Sequence, residues 1–366
     1  MGPSSQQPTI AWAKVWDLTG RTVFPGIVGM HEHLFTTAPN FGGKNGVIQQ
    51  ATVFPLLYLA AGVTTMRTAG SIAPEKDLAA KHKIDQGEAA GPEMFLTAHY
   101  LEGSPAIFPE MHSLRDDREA RQTVAHWAGQ GMTSFKAYVQ ITPAELRAAI
   151  EEAHARGLKI TGHLCTVGFT EAADLGIDHL EHGLLTDTEF YSKKQPDVCP
   201  NRDAFSNEYT HLDVESQPVQ DMIRHLVAHH VAVTSTLAVF EDLLGKAPKE
   251  YTDAARRAMT WKAWLRSRLI VAVVARLHQD SLLQKEMAFE RDFVKAGGTL
   301  LAGCDPTGGE CSCWFRRPAR DSAFGPSRLF SSRSNPDCNK ERGGFPRNRG
   351  SRGHRQFRQA GGLGRG

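Results

Sequence analysis

Apolar runs that each end in a metal-ligand side chain recur along this chain, and they constrain its fold more than any other feature. "FPGIVGMHEHL" carries His31 and His33, "TSFKAY" carries Lys136, "TGHL" carries His163, "LEHG" carries His182 and "LLAGCDP" carries Asp305. A strand ending in a functional side chain, repeated around a parallel barrel, gathers those side chains at one C-terminal face. Three further runs, "AGVTTMRTAG", "EMFLTAHY" and "VAVTSTLAVF", bring the predicted strands to eight. Helical segments lie between them, as βα units require. The expected fold class is therefore α/β, a TIM (β/α)8 barrel.

The helices are announced locally. "TPAELRAAIEEAHARG" opens on Thr142 as a cap, follows it with Pro143 and closes on Gly157, the start and stop signals of a helix. "DREARQTVAHWAGQG", "TEAADLG" and "VQDMIRHLVAHH" supply further helices. The polar stretch 184–217 reads as an insertion over the active face, where long loops act as lids.

A chain of 366 residues, 41% hydrophobic and 22% charged, suits one large domain with something appended. No apolar run reaches the length of a membrane span, and the N-terminus has no basic and apolar leader pattern. A cytoplasmic location is the default expectation, with no membrane partner. The six cysteines, Cys165, Cys199, Cys304, Cys311, Cys313 and Cys338, show no spacing of a disulfide framework and no CxxC. Reduced thiols are expected.

Two residues apart on a strand means one face, so His31 and His33 both point inward and can hold one divalent ion. Lys136 ends a strand inside a crowded lumen. As an ammonium it could only snorkel or pair with a carboxylate; as a carbamate formed with carbon dioxide it would offer two oxygens to bridge two ions. His163 and His182 close the fifth and sixth strands. His179, three residues before His182, belongs on the opposite face and is expected to pack outside. His154, His225, His229 and His230 lie on predicted helices and read as surface or packing residues. Asp305 ends the eighth strand, where a carboxylate can bind metal and accept a proton; the alternative is a helix cap. Arg67, Tyr100 and Tyr138 lie at or just past strand ends and are candidates for binding substrate.

Taken together these motifs resemble the amidohydrolase superfamily, in its binuclear, carboxylated-lysine subtype. "GVTTMRTAG", "TSFKAY", "TGHL" and "LEHG" look like its imidazolonepropionase-related and prolidase-like members, over residues 15 to 308 or so. The resemblance implies that His31 and His33 hold one ion, His163 and His182 the other, and carboxylated Lys136 bridges them. Asp305 would bind the first ion and shuttle the proton during hydrolysis of a C–N bond in a small substrate, such as a dipeptide or N-acyl amino acid. Zinc suits imidazole and carboxylate ligands. A homo-oligomer is compatible with this reading. A mononuclear deaminase-like site would use His31, His33, one further histidine and Asp305, and would not need Lys136. A third reading is a product without enzymatic role.

Two departures from the family pattern set the expected boundaries. Residues 1–22 retain only a remnant of the accessory β-sandwich, 23–308 form the barrel, and 309–366 form a basic tail without helical periodicity. The tail holds 13 Lys and Arg against 4 Asp and Glu, a net +9 beside −7 for the rest of the chain and +2 overall. A basic arm could bind phosphate, but the tail has no RGG repeat and few aromatics for stacking; no nucleic-acid partner is expected. Reading each codon from its second base, permitted codons turn "CWFRRPARD" into "AGFGDQREI" and "SRLFSSRSNPDCNKERGG" into "AGFSPLEAIRIATKNGAD". These resemble what the family carries after its aspartate, so the tail is expected to be out of frame and disordered.

Overall fold

Parallel strands whose side chains are buried on both faces form the centre of the molecule. In the computed structural model, residues 25–39, 45–243 and 280–306 are described, with isolated positions between 12 and 23 and between 253 and 268. The expected tail, 309–366, lies outside the described residues. So do most of residues 244–279.

Strand β1 (Ile27–Glu32) pairs in parallel with β4 (Val63–Thr68), and β4 with β5 (Glu93–Phe95). A second parallel sheet runs in the order β10 (Leu300–Ala302), β9 (Ala232–Ser235), β8 (His179–Glu181), β7 (Lys159–Gly162), β6 (Ser134–Ala137). Parallel bridges at Thr97–Ser134 and Leu101–Ala137 connect the chain after β5 to β6. At the other side, the Cys304 and Asp305 N–H groups donate to the His31 carbonyl at 3.2 and 2.9 Å. All four positions of β6 are buried, as expected where helices cover a parallel sheet. An unexpected antiparallel hairpin, β2 (Phe35–Pro39) with β3 (Asn45–Gln49), follows β1 directly.

Helices α1 (Phe54–Ala60) and α2 (Pro74–Asp85) flank β4. Helix α3 (Asp117–Gly129) is capped by the Asp116 carboxylate, which accepts from the Glu119 N–H at 2.8 Å. Helix α4 (Pro143–Ala155) begins with a full capping box: Thr142 Oγ1 accepts from the Glu145 N–H, and Glu145 accepts from the Thr142 N–H. Its Leu146, Ala149, Ile150 and Ala153 are buried, an i, i+3, i+4, i+7 stripe turned to the core. The short helix α5 (Phe169–Leu175) precedes β8. Helix α6 (Arg202–Tyr209) lies in the polar insertion, and α7 (Gln217–Ala228) buries Val219, Met222, Ile223 and Leu226 at the same spacing. Helix α8 (Leu237–Leu243) begins two residues after β9, so the second half of "VAVTSTLAVF" is helix rather than strand. Helix α9 (Asp280–Lys295) leads into β10. No helix among the described residues is long and apolar enough to cross a membrane.

One expectation is overturned. Cys165 and Cys199 form a disulfide, with Cα atoms 5.0 Å apart. The 34-residue separation hides this pairing from any spacing rule; it ties the loop after β7 to the insertion.

The capping box and the stripe of α4 stabilise the fold by different amounts. Thr142→Ala should cost about 1 kcal/mol, the usual value of a cap. Leu146→Ala, at a fully buried position, should cost about 2–5 kcal/mol. Urea unfolding of both variants checks the order; equal losses would mean that α4 contributes little through its packed face.

Candidate metal centre

Four imidazoles, a lysine and a carboxylate converge beyond the C-terminal ends of these strands. His31 lies in β1 and His33 just after it, both buried. Their rings stand 5.1 Å apart, nearly perpendicular. The backbone of His33 is pinned by Tyr58, whose hydroxyl accepts from the His33 N–H and donates to its carbonyl, each at 2.9 Å. Lys136 in β6 places Nζ 3.4 Å from His31 Nε2. His163 follows β7, and its ring centroid is 4.5 Å from that of His182. The His182 ring in turn lies 4.5 Å from His31.

Asp305 closes the group. Its Oδ1 is 3.3 Å from His33 Nε2 and 3.7 Å from His31 Nε2; its Oδ2 is 3.8 Å from His182 Nδ1. The side chain is 14% exposed, the most open member of this ion-pair set. Gly303 lets the last strand approach this closely, since a Cβ there would sit 2.2 Å from His31 Cβ.

Two of these residues reach the centre through left-handed backbone. His182 has φ 67° and Asp305 φ 48°, a region that ordinary side chains seldom adopt. This corrects the parity argument for the sixth strand. His182 enters because β8 ends at Glu181 and the chain turns. His179, expected outside, is buried beneath the centre with Nδ1 3.2 Å from Arg67 Nη1; it shares its side of the strand with Glu181, two residues on.

Arg67 is also placed differently from its expected role at the substrate. Its Nε and Nη2 donate to the Met30 carbonyl at 2.8 and 2.5 Å, and Nη2 donates to Glu181 at 2.6 Å. The guanidinium is 2% exposed, so it braces the floor of the site rather than facing a ligand. Tyr100 and Tyr138 do lie at the centre. Their rings are 4.7 Å apart, each 5.8 Å from Lys136 Nζ, and Tyr138 is 5.0 Å from His163. Phe35 and Met111 pack with them as an apolar wall.

Sequence reasoning missed Glu181. It accepts from Thr161 Oγ1 at 2.5 Å and lies 2.6 Å from His31 Nδ1, in addition to the Arg67 contact. A carboxylate on Nδ1 fixes the proton there and leaves Nε2 as the donor atom. Burial works against the charge of Glu181, yet Arg67, His31 and Lys136 hold its carboxyl well below the ordinary range. A glutamate alternating with His179 in "HLEH" was the available signal. Thr236, whose hydroxyl sits 2.8 Å from His182 Nδ1, carried none.

The electrostatics suit a cation. Burial, with Lys136 nearby, lowers His31; burial pushes His33 down to about 4 and holds His163 and His182 well below the usual imidazole value. Neutral imidazoles are lone-pair donors. Asp305 stays ionised: burial opposes its charge, but His31, His33 and His182 hold it well below its ordinary value. Lys136 is pushed down to about 8 by burial, against the pull of Glu181 and Asp305. No carboxylate among the described residues lies within ion-pair distance of its amine. Burial also keeps the phenols of Tyr100 and Tyr138 protonated. His31, His182 and Asp305 bring one ligand atom each within 4.8 Å of one another. This donor set fits a divalent centre, because a buried group of neutral imidazoles around a carboxylate offers lone pairs and little else.

Comparison with known proteins adds fold-level evidence. No family model and no curated protein sequence matches the chain. Among solved structures, an uncharacterized protein matches with a TM-score of 0.56 at 18% identity, over 83% of this chain and 71% of its own. A candidate prolidase from Bifidobacterium longum matches with a TM-score of 0.55 at 19% identity, over 86% of this chain and 68% of its own. Bottromycin amidohydrolase matches with a TM-score of 0.52 at 19% identity, over 80% of this chain and 60% of its own. At such identities the likeness is one of fold: the chain shares the mixed α/β, parallel-sheet architecture of structures named as a prolidase and an amidohydrolase.

Proposed function

We propose that this chain is a metal-dependent amidohydrolase that cleaves an amide or peptide-like C–N bond in a small substrate, such as a dipeptide or N-acyl amino acid. The observation that carries this reading is the convergence of His31, His33 and His182 on the Asp305 carboxylate with Lys136 Nζ 3.4 Å from His31 Nε2. The eight parallel strands are taken to form one TIM barrel, whose C-terminal face holds the site. His31, His33, His163, His182 and Asp305 would hold two divalent ions, with zinc favoured by the ligand types. Bound there, such ions supply Lewis acidity that acidifies a water and polarises a carbonyl.

Lys136 has a specific part in this reading. Its buried amine would add to carbon dioxide, forming an N–C bond and releasing one proton, and the resulting carbamate would offer oxygen donors to the ions. A single-ion deaminase site has no need of a lysine at this point, so the position of Lys136 favours the binuclear reading. Glu181 fixes the proton of His31 on Nδ1. Asp305 accepts the proton of the attacking water and delivers it to the departing nitrogen as the C–N bond breaks. The wall of Phe35, Tyr100, Tyr138 and Met111 excludes water from one side, and the neutral phenols donate to substrate oxygens.

Residues 309–366 are proposed to be an out-of-frame translation, and the basic charge there an artefact rather than a binding surface. The DNA around the codons for Gly308 to Cys311 tests this: a one-base shift should open a frame encoding a helix-period apolar segment. Early stop codons in that frame would reject it.

The centre should hold about two equivalents of divalent ion by elemental analysis, and Lys136→Ala should lose at least one of them. At most one equivalent, unchanged by Lys136→Ala, would favour the single-ion deaminase. Asp305→Asn should lower kcat by at least roughly a hundredfold on a dipeptide and N-acyl amino acid panel; near-normal turnover removes Asp305 from the mechanism. Glu181→Gln should weaken metal binding by about 10–100-fold, the usual effect of losing the partner of a ligating histidine. Unaltered affinity would show that His31 keeps its orientation without the carboxylate.

A further inference from the structure

A second group of ligand atoms lies on the outer helices, away from the strand ends. Asp174 stands in the last turn of α5, His225 in the last turn of α7, and His229 at the C-cap of α7. The sequence reading assigned both histidines to surface or packing positions, and both are partly exposed. One ligand atom from each of the three residues lies within 4.8 Å of the other two. We propose that Asp174, His225 and His229 form a second divalent-metal site, one that clips α5 to α7 and takes a borderline ion such as zinc.

The helix supplies the pair. Residues i and i+4 share a face, so His225 and His229 stand side by side, with ring centroids 4.2 Å apart at 32°. Asp174 Oδ1 lies 2.8 Å from His225 Nε2 and 3.8 Å from His229 Nε2. Donors placed at about 2.0–2.1 Å on a tetrahedron are separated by roughly 3.3 Å. The two observed separations bracket that value, so small side-chain rotations complete the geometry.

A second observation points to a cation. His229 Nδ1 is 3.1 Å from the Ala173 carbonyl. A carbonyl can only accept, so Nδ1 carries a proton, and this fixes the ring with its other nitrogen, Nε2, turned toward the Asp174 carboxylate. A backbone carbonyl on one ring nitrogen is also how ligating histidines are commonly oriented. The field of the helices acts in the same sense. Both α5 and α7 end here, and helix C-termini carry partial negative charge that favours cations. Asp174 is therefore a carboxylate at the wrong end of its helix, a placement that a bound metal makes favourable. The side chains are 58%, 32% and 39% exposed for Asp174, His225 and His229, which leaves solvent to supply the fourth ligand of a tetrahedral ion.

The test is zinc titration of the full chain, with bound metal counted after removal of free ion. Wild type should bind one equivalent more than His225→Ala or His229→Ala, and either change should weaken that equivalent at least about tenfold. Zinc should raise the Tm of wild type, since an ion bound only by the folded state stabilises it. The part of the shift assigned to this site should vanish in both variants. Their unfolding in chelator should match wild type, and their hydrolytic activity should be unchanged. The double variant His31→Ala/His33→Ala should retain the surface equivalent, which separates failure of this site from failure of the barrel centre. Equal zinc stoichiometry and affinity in wild type and both single variants would overturn the proposal and leave an ordinary Asp–His ion pair.

Discussion

The site depends on a charge held where water cannot reach it. Glu181 is buried, and its two oxygens are divided between the floor and the ceiling of one polar layer. Oε1 accepts from Arg67 and Thr161, while Oε2 lies against His31. Taking a carboxylate and a guanidinium out of water costs several kcal/mol per ion and is repaid only when every donor and acceptor is matched. Here it is. Arg67 also donates to the Met30 carbonyl, so the same guanidinium fixes the main chain one residue before His31. A change at Glu181 or Arg67 therefore reaches the donor atoms without touching them. The cost of breaking such a pair, about 3–5 kcal/mol, is comparable to the net stability of a whole domain.

Two of the four left-handed non-glycine residues among the described ones lie where the donors converge. His182 and Asp305 both occupy left-handed backbone, at a cost of order 1–3 kcal/mol each. Neighbouring contacts hold them there. The His182 N–H donates to the Thr234 carbonyl at 3.0 Å and its ring meets Thr236, while the Asp305 N–H donates to the His31 carbonyl. The first and last described strands are thus joined through residues of the candidate centre. These backbone contacts tie the geometry of the site to the sheets, because displacement of β10 moves Asp305 directly.

Much of this was legible in sequence, for a physical reason. A parallel strand buried on both faces needs a continuous apolar run, and a polar side chain at the end of such a run stands out. His31, His33, Lys136, His163, His182 and Asp305 were all found that way, and the structure gathers all six. Period-2 reasoning failed where the strand stopped. It sent His179 outside because it assumed that β8 continued through His182, and backbone in the left-handed region has no period. Glu181 and Arg67 were harder to see, since a buried carboxylate and a buried guanidinium look like surface residues until their partners are known. The Cys165–Cys199 bridge depends on how a 34-residue excursion folds back, which no local rule encodes.

That bridge bears on how the centre is enclosed. Cys165 lies two residues after His163, and Lys194 in the insertion donates to the Cys165, Thr166 and Val198 carbonyls at 3.0, 2.7 and 2.7 Å. Thr188 Oγ1 adds a further bond to the Cys165 carbonyl at 2.6 Å. The insertion is therefore anchored to the strand that delivers a donor histidine, by a covalent link and several hydrogen bonds. On the opposite side, hairpin β2–β3 contributes Phe35 and Val47 to the apolar group around Tyr100 and Tyr138. The two walls differ in kind. One is polar and cross-linked, fixed by main-chain carbonyls; the other is largely aromatic, with the hairpin tied down by the Val47 N–H on Glu110 and Gln49 on Asp77. Rotamer changes cost less in the apolar wall than rupture of the disulfide in the other, so the position of His163 is kept by the bridged side.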